Sequence, residues 1–187
     1  MVLQATGCTR MIWLDLGLFG DEDTNGHIDN WACFVKPGHV VLAWTDDEEN
    51  DPENYARCRR SLVQLEAFND AEGRFLKVHK LYLPSRMHYT EEEIESLAVE
   101  TPTANNPTVV QPRQVGDILA GSYVNFYIAN QAVVVPQYGD PVYDAKALET
   151  LRPLFPNRKV VGVPSREILI GGGNIHCITQ QVPLVPF

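Results

Sequence analysis

Short apolar runs and turn residues alternate along the chain, and the same order of elements is predicted twice. Continuous or alternating apolar runs indicate strands, and apolar residues three or four positions apart indicate helices. The first series gives strands at 27–35 and 40–44, a helix after Asp51 and a strand at 75–81. The second gives strands at 122–129 and 132–135, a helix after Asp140 and a strand at 159–163. Both series therefore have the order strand, turn, strand, helix, strand.

Each predicted helix begins with an Asp-Pro pair, at Asp51-Pro52 and at Asp140-Pro141. Aspartate is favoured just before a helix because its carboxylate accepts free backbone N–H groups, and proline suits the first turn. Both helices carry one apolar stripe at helical spacing, formed by Tyr55, Cys58, Leu62 and Leu65 in the first and by Val142, Ala145, Leu148, Leu151 and Phe155 in the second. Each stripe predicts a buried helix face.

The repeat predicts modules arrayed around an axis or along a line, because one unit alone would leave an apolar face uncovered. We place the modules at about 10–83 and 114–165, with a linker or lid at 84–113 and the start of a further module at 166–187. Within the linker, Thr90 and the glutamates after it form a capping box, which predicts one short helix. A long ordered loop is typical of a lid or a binding loop.

Composition and charge narrow the class of protein. The 187 residues are 44% hydrophobic and 21% charged with a formal net charge of −9, which is typical of a soluble globular domain. An acidic surface repels nucleic acid and anionic membranes and attracts cations, so we expect a cationic substrate. The start of the chain lacks the features of a signal sequence, and four widely spaced cysteines indicate free thiols in a reducing compartment. We therefore expect a cytoplasmic protein.

Three successive glycines precede a cysteine near the end of the chain, in the segment 171–181. Glycines leave no side chains in the way, so the backbone can turn sharply and lie close to a small ligand. Cys177 follows on a predicted short strand and could point its thiol into such a cleft. The alternative is a glycine turn before a buried strand, with Cys177 as a small core residue.

An imidazole and a carboxylate lie two positions apart at the start of the strand predicted at 27–35. Side chains at this spacing share one face of a strand, so His27 and Asp29 could together hold a cation and move a proton. The alternative is an ordinary polar strand end. His176 neighbours Cys177, and adjacent residues on a strand point to opposite faces, so we do not expect His176 to act as the base for Cys177.

Other classes of hydrolase and nucleotide-binding protein lack their motifs here. A zinc deaminase needs His-x-Glu and Pro-Cys-x-x-Cys elements, and the sequence has neither. The glycine run is not followed by Gly-Lys-Ser/Thr, and it does not continue as G-x-G-x-x-G into a helix. A cysteine hydrolase that uses His27, Asp29 and Cys177 remains, and the fold would have to bring these distant positions together.

The segment 20–30, GDEDTNGHIDN, resembles the G-D-x-x-T-x-G-H-x-D-N element of agmatine deiminase. The segments 44–47, 122–130 and 171–181 resemble other signatures of that family, and the plant-type branch is the most similar. The resemblance implies the α/β pentein fold, a β/α-propeller of five ββαβ modules around a pseudo-fivefold axis with the site at its centre. It covers only the C-terminal half of such an enzyme, so we expect an incomplete ring with about half of the usual modules.

For function, the resemblance implies hydrolysis of agmatine to N-carbamoylputrescine and ammonia, a step in putrescine biosynthesis. Cys177 would be the nucleophile, His27 the general acid and base, and Asp29 a catalytic residue that binds the guanidinium. A nearby imidazolium would lower the pKa of the thiol. No metal and no organic cofactor are implied.

Two alternatives stay open. The same fold could deiminate arginine in peptides, or the chain could be a non-catalytic pentein fragment that binds a partner chain. The expected partners are agmatine, as a small cationic substrate, and either a missing N-terminal half or further copies of the chain in a homo-oligomer. Neither nucleic acid nor a membrane is expected as a partner.

Overall fold

The computed structural model describes residues 2–22, 24–97 and 113–182. Its strands are β1 Ala32–Lys36, β2 His39–Trp44, β3 Lys77–Tyr82, β4 Met87–His88, β5 Ile118–Leu119, β6 Tyr127–Ile128, β7 Ala132–Gln137 and β8 Lys159–Pro164. Its helices are α1 Val2–Thr6, α2 Pro52–Glu66, α3 Glu91–Ser96, α4 Pro141–Leu151 and α5 Arg166–Leu169, and two 3-10 turns lie at Ile28–Asn30 and Arg152–Leu154. Within these ranges, every helix is too short or too polar to cross a membrane.

Two three-stranded sheets share one plan. In each, an antiparallel pair of strands is followed by a helix that returns the chain to a third strand, parallel to the second. The first unit is β1-β2-α2-β3 and the second is β6-β7-α4-β8. The repeated ββαβ unit that the sequence predicts is therefore present in both halves of the chain.

The middle strand of the first sheet lies at the centre of the core. β2 has neighbours on both sides, and its residues from Val40 to Trp44 are at most 2% exposed. Helix α2 contributes Cys58 and Leu65 to the same cluster of buried side chains. A strand covered in this way buries both of its faces, which explains its uninterrupted apolar sequence.

The helix starts agree with the sequence in two of three cases. In α4, Oδ1 of Asp140 accepts hydrogen bonds from the first two free N–H groups at 3.1 and 3.0 Å. The capping box at Thr90 is present in α3. Asp51 stands at the start of α2 but does not cap it, because its carboxylate accepts the side-chain amide of Asn54 at 3.1 Å and pairs with Arg86.

The strand predicted at 27–35 is wrong at its start. The chain forms a 3-10 turn at Ile28–Asn30, and β1 begins only at Ala32. The buried amide of Asn30 donates to the carboxylate of Asp21 at 2.9 Å. This bond holds the segment against the loop that precedes it instead of against a neighbouring strand.

The strand predicted at 122–129 is also shorter than expected, since only Tyr127–Ile128 forms β6. The hydroxyl of Ser122 accepts the N–H of Val124 at 3.1 Å and turns the chain locally. Such side-chain bonds to nearby backbone compete with a strand ladder. The short apolar run at 11–14 also predicts a strand, but it does not form one.

Part of the predicted linker and of the last module cannot be compared with the structure. The linker contains β4 and then α3, and β4 pairs with β5 beyond the linker, whereas residues 98–112 lie outside the described residues. In the last module, α5 and a turn are described, and 183–187 lie outside. Asp23 in the loop before β1 also lies outside the described residues.

We expect Asp140→Ala to lower the free energy of unfolding by about 1 to 2 kcal/mol, because it removes the side-chain cap of α4. Asp140→Asn keeps an acceptor oxygen at the same place and should lose much less stability. Urea unfolding followed by circular dichroism measures both. Equal losses for the two variants would contradict a capping role for this side chain.

Candidate active site

A turn after α5 carries the thiol. Helix α5 ends where the N–H of Gly172 donates to the carbonyl of Leu169 at 2.9 Å, and Gly172 has a φ of +95°, a conformation that favours glycine. A Cβ added to Gly173 would lie 3.0 Å from Cβ and 3.2 Å from Sγ of Cys177. Glycine at position 173 therefore leaves the space beside the thiol free.

Cys177 lies in this turn and not on a strand. The N–H of Ile178 donates to the carbonyl of Asn174 at 3.3 Å, and the N–H of Thr179 donates to the carbonyl of His176 at 3.0 Å. Cys177 is exposed, so the alternative of a small core residue is wrong. The sequence prediction of a short strand is wrong as well, because the residues after the glycines continue to turn.

Asp29 and Cys177 are brought together, as the sequence predicts. The thiol of Cys177 donates to Oδ2 of Asp29 at 3.2 Å, across 148 positions of sequence. The other carboxylate oxygen, Oδ1, is buried and has no hydrogen-bond partner among the described residues. An unpartnered buried acceptor is costly, so Oδ1 is suited to receive a donor from a ligand.

The sequence predicts His27 on a strand, on the same face as Asp29, but His27 does not lie on a strand. It immediately precedes the 3-10 turn that carries Asp29, so the two side chains do not share a strand face. His27 is exposed, and its backbone N–H donates to Oγ1 of Thr24 at 3.4 Å. Within the described ranges, its imidazole makes no hydrogen bond to Cys177 or to Asp29.

His176 is a member of the site that sequence reasoning missed. Its Nδ1 lies 2.8 Å from Oδ2 of Asp29, the same oxygen that accepts the thiol of Cys177. The expectation of opposite directions is wrong because it assumed a strand, whereas the turn presents both neighbours to one carboxylate. The three glycines before Asn174 are turn formers, and they were the available signal against a strand.

Asn125 is the second residue that sequence reasoning missed. It is 0% exposed and lies just before β6, within the strand that the sequence predicts at 122–129. Its Nδ2 donates to Sγ of Cys177 at 3.1 Å, and its Oδ1 accepts the backbone N–H of His176 at 2.8 Å. A buried polar side chain in an apolar segment was the signal that could have marked it.

The surroundings of the sulfur raise the pKa of the Cys177 thiol above its ordinary value. Although the residue as a whole is exposed, the atoms around its sulfur partly shield it from water, and this desolvation is the main cause of the raised pKa. The hydrogen bond and negative charge of Asp29 add to it. Hydrogen bonds from the backbone N–H of Asn174 and from the side chain of Asn125 act in the opposite direction. This direction is the reverse of the lowered pKa that a nearby imidazolium would produce.

An open cleft of about 890 Å³ lies beside this cluster. Its wall includes the three glycines at 171–173 and Asn30, which connect it to the turn of Cys177. Glu22, Asp117 and Arg113 also line it, so its wall bears charges of both signs, whereas Asp29 and Cys177 do not line it. In the described part of the chain, no three side chains of histidine, cysteine, aspartate or glutamate are grouped so that they could hold a metal ion.

Repeated ββαβ units and an exposed thiol beside a carboxylate define the class of protein as a cysteine-containing α/β protein built from modules. The model of the Porphyromonas-type peptidyl-arginine deiminase family matches residues 1–183. The chain therefore belongs to this family.

Two curated relatives of the chain are both named agmatine deiminase. The chain is 50% identical to an agmatine deiminase of Pseudomonas fluorescens over 175 residues, which cover 93% of this chain and 44% of that protein. It is 46% identical to an agmatine deiminase of Medicago truncatula over 180 residues, which cover 96% of this chain and 46% of that protein. The chain spans less than half the length of the curated relatives that it matches.

A solved structure of an agmatine deiminase of Enterococcus faecalis has the same fold. It aligns with a TM-score of 0.75 and 42% identity, over 92% of this chain and 44% of that chain. The pentein fold that the sequence resemblance implies is therefore confirmed. The share of each relative that is matched fits an incomplete set of modules.

We expect Asp29→Asn to speed alkylation of Cys177 by iodoacetamide several-fold near neutral pH. The carboxylate raises the pKa of the thiol, so removal of its charge lowers that pKa and increases the thiolate fraction. Peptide mass spectrometry across pH gives the rate at this cysteine alone. Asp140→Asn makes the same change at a distant capping position and should leave the rate unchanged; a slower reaction in Asp29→Asn would contradict the assignment.

Gly173→Ala should disturb the position of the thiol without unfolding the chain. The added Cβ would approach Cβ and Sγ of Cys177 at 3.0 and 3.2 Å, closer than most such contacts in proteins. We expect an altered alkylation rate at Cys177 with a nearly unchanged melting temperature. Gly171→Ala is the matched control, because its Cβ would meet only the carbonyl of Ile168; identical behaviour of the two variants would contradict the contact.

Proposed function

We propose that this chain carries the nucleophile-bearing half of a guanidinium hydrolase, which converts agmatine and water to N-carbamoylputrescine and ammonia. The observation that carries the proposal is the exposed thiol of Cys177 at 3.2 Å from the carboxylate of Asp29. Membership of a family of peptidyl-arginine deiminases and similarity to proteins named agmatine deiminase support it.

Asp29 is the proposed binding residue for the guanidinium. A guanidinium is flat and carries several N–H donors, and a carboxylate binds it through paired, charge-assisted hydrogen bonds. Oδ1 of Asp29 is buried and without a donor among the described residues, so one guanidinium N–H would satisfy it. The thiol beside Oδ2 would then face the central carbon of the bound cation.

The proposed reaction has two steps. The thiolate of Cys177 attacks the guanidinium carbon, the adduct loses one nitrogen as ammonia, and an amidino group remains bound to sulfur. Water then attacks the same carbon, the bond between carbon and sulfur breaks, and the ureido product leaves as the thiol is restored. Water is the only co-reactant, so neither a metal nor an organic cofactor enters the scheme.

His27 is the proposed general acid and base. It would protonate the departing ammonia and later remove a proton from the attacking water. Its exposed imidazole lies in the loop that leads into the turn of Asp29, from which it could reach a bound substrate. His176 already contacts Asp29, so its proposed part is to hold that carboxylate in place.

Deimination of arginine in peptides is the second candidate function, because the matching family model is described by that activity. The two substrates differ in what is attached to the guanidinium, a short amine chain in one and a peptide backbone in the other. Ammonia release from agmatine and from an arginyl peptide, measured on the same preparation, separates them.

The third candidate is a non-catalytic pentein fragment that binds a partner chain. The chain spans under half of its relatives, and Ile28 and Ile178, next in sequence to Asp29 and Cys177, are 58% and 68% exposed. We propose that an N-terminal half of the pentein fold, or further copies of this chain, cover this side. Ammonia release by the chain alone and after addition of such a half decides between catalysis and binding only.

We further propose a cytoplasmic location, with no nucleic acid or membrane as partner. The net charge of −9 supports this assignment. The thiols of Cys8, Cys33, Cys58 and Cys177 are all free in the structure, as expected in a reducing compartment. We also propose modules at about 10–83 and 114–165, a linker or lid at 84–113 and the start of a further module at 166–187.

Cys177→Ser tests the proposed nucleophile. We expect turnover of agmatine, with the other half added if the chain requires it, to fall by roughly a thousandfold or more, because a hydroxyl is a far weaker nucleophile at neutral pH. Cys8→Ser is the control, since Cys8 is also exposed and free but lies outside the site. Full activity of the Cys177 variant would refute the mechanism.

A further inference from the structure

Asn125 has all four hydrogen-bonding positions of its side-chain amide occupied, although it is completely buried. Its Oδ1 accepts the backbone N–H groups of His176 at 2.8 Å and of Cys177 at 3.4 Å. Its Nδ2 donates to Oδ1 of Asn30 at 2.7 Å and to Sγ of Cys177 at 3.1 Å. A side-chain amide has two acceptor and two donor positions, so every hydrogen-bonding position of Asn125 has a partner in the site.

The groups around Asn125 fix which atom of its amide donates and which atom accepts. Both oxygens of Asp21 act as acceptors, from Thr24 and from Asn30, so the amide of Asn30 turns its NH₂ toward Asp21, where it donates at 2.9 Å. Oδ1 of Asn30 then faces Asn125 and requires a donor there.

The other side of Asn125 imposes the same direction. The backbone N–H groups of His176 and Cys177 can only donate, so they require the oxygen of the amide. The reversed amide would place donor against donor at His176 and acceptor against acceptor at Asn30. An N–H group of Asn125 must therefore point at the sulfur, independently of how the two amide atoms are assigned.

Building on the proposed cysteine chemistry, we propose that Asn125 is a positioning residue of the site. One N–H holds the sulfur of Cys177, and the amide oxygen holds the backbone of the turn that carries it. The residue touches the nucleophile but does not take part in bond making or proton transfer.

The N–H of Asn125 also opposes the charge of Asp29. The charged and titratable groups around the sulfur are Asp29, which accepts the thiol at 3.2 Å, and His176, which contacts the same carboxylate. Tyr138 is a third titratable group, and its phenol interacts electrostatically with the sulfur. The carboxylate favours the thiol, whereas a hydrogen-bond donor favours the thiolate. Loss of the Asn125 amide should therefore make Cys177 less reactive near neutral pH.

Alkylation of Cys177 in the full chain tests this role. We expect iodoacetamide to react about tenfold more slowly with Asn125→Ala than with the unchanged chain near neutral pH, the effect of one hydrogen bond to a charged sulfur. The rates should converge at high pH, where the thiol is ionised in both. Iodoacetamide needs no bound substrate, so this result does not depend on whether the chain hydrolyses agmatine.

Asn54→Ala is the matched control for the loss of a buried amide. Asn54 is 6% exposed, accepts the backbone N–H of Phe19 at 2.9 Å and donates to Asp51, so its replacement has a comparable structural cost away from the thiol. We expect the pH profile of alkylation at Cys177 to stay unchanged in this variant. An equal shift in both variants would mean a general loosening of the fold and would overturn the proposal.

A folded Asn125→Ala chain with the original pH profile would also overturn it. If that variant does not fold, Asn125→Asp keeps the shape and the acceptor, and it should slow alkylation further because it places a carboxylate against the sulfur. The unchanged chain gives a third readout by NMR with ¹⁵N labelling. The side-chain NH₂ signals of Asn125 should shift with the ionisation of Cys177, and signals that do not move would refute the contact.

Discussion

One buried amide joins three parts of the chain that are far apart in sequence. Asn125 bonds to Asn30 before β1 and to the turn of Cys177 near the end of the chain. Asn125 and Asn30 are both buried, where each unmade hydrogen bond is expensive. The same amide therefore contacts both the thiol and the backbone of the turn that carries it.

The scaffold around this contact is made twice from one simple unit. A hairpin, a helix and a parallel strand pack against one another, and the central strand β2 takes the deepest position in the core. The site does not lie inside either unit. It forms where irregular segments just before β1, just before β6 and after α5 meet, so loss of regular strand at 27–31 and 122–126 is what makes room for it.

The chemistry of the site depends on opposed influences on one sulfur. Partial burial and Asp29 raise the pKa of the thiol, and the donors from Asn174 and Asn125 lower it. The same carboxylate that disfavours the thiolate is the natural ligand for a flat cation, and a bound cation would offset its charge. In the proposed mechanism, binding of the guanidinium and ionisation of the thiol would therefore be linked through Asp29.

The sequence by itself determined the repeated ββαβ unit, the Asp140 and Thr90 helix starts, and the pairing of Asp29 with Cys177. The first three are local signals of periodicity and capping, and the last came from motifs that resemble a known family. Only the tertiary structure decided that His176 shares Asp29 with the thiol and that Asn125 holds the turn. Local propensity cannot supply these facts, because they depend on hydrogen bonds between segments that are separated by 51 to 147 positions and form only when the chain is folded.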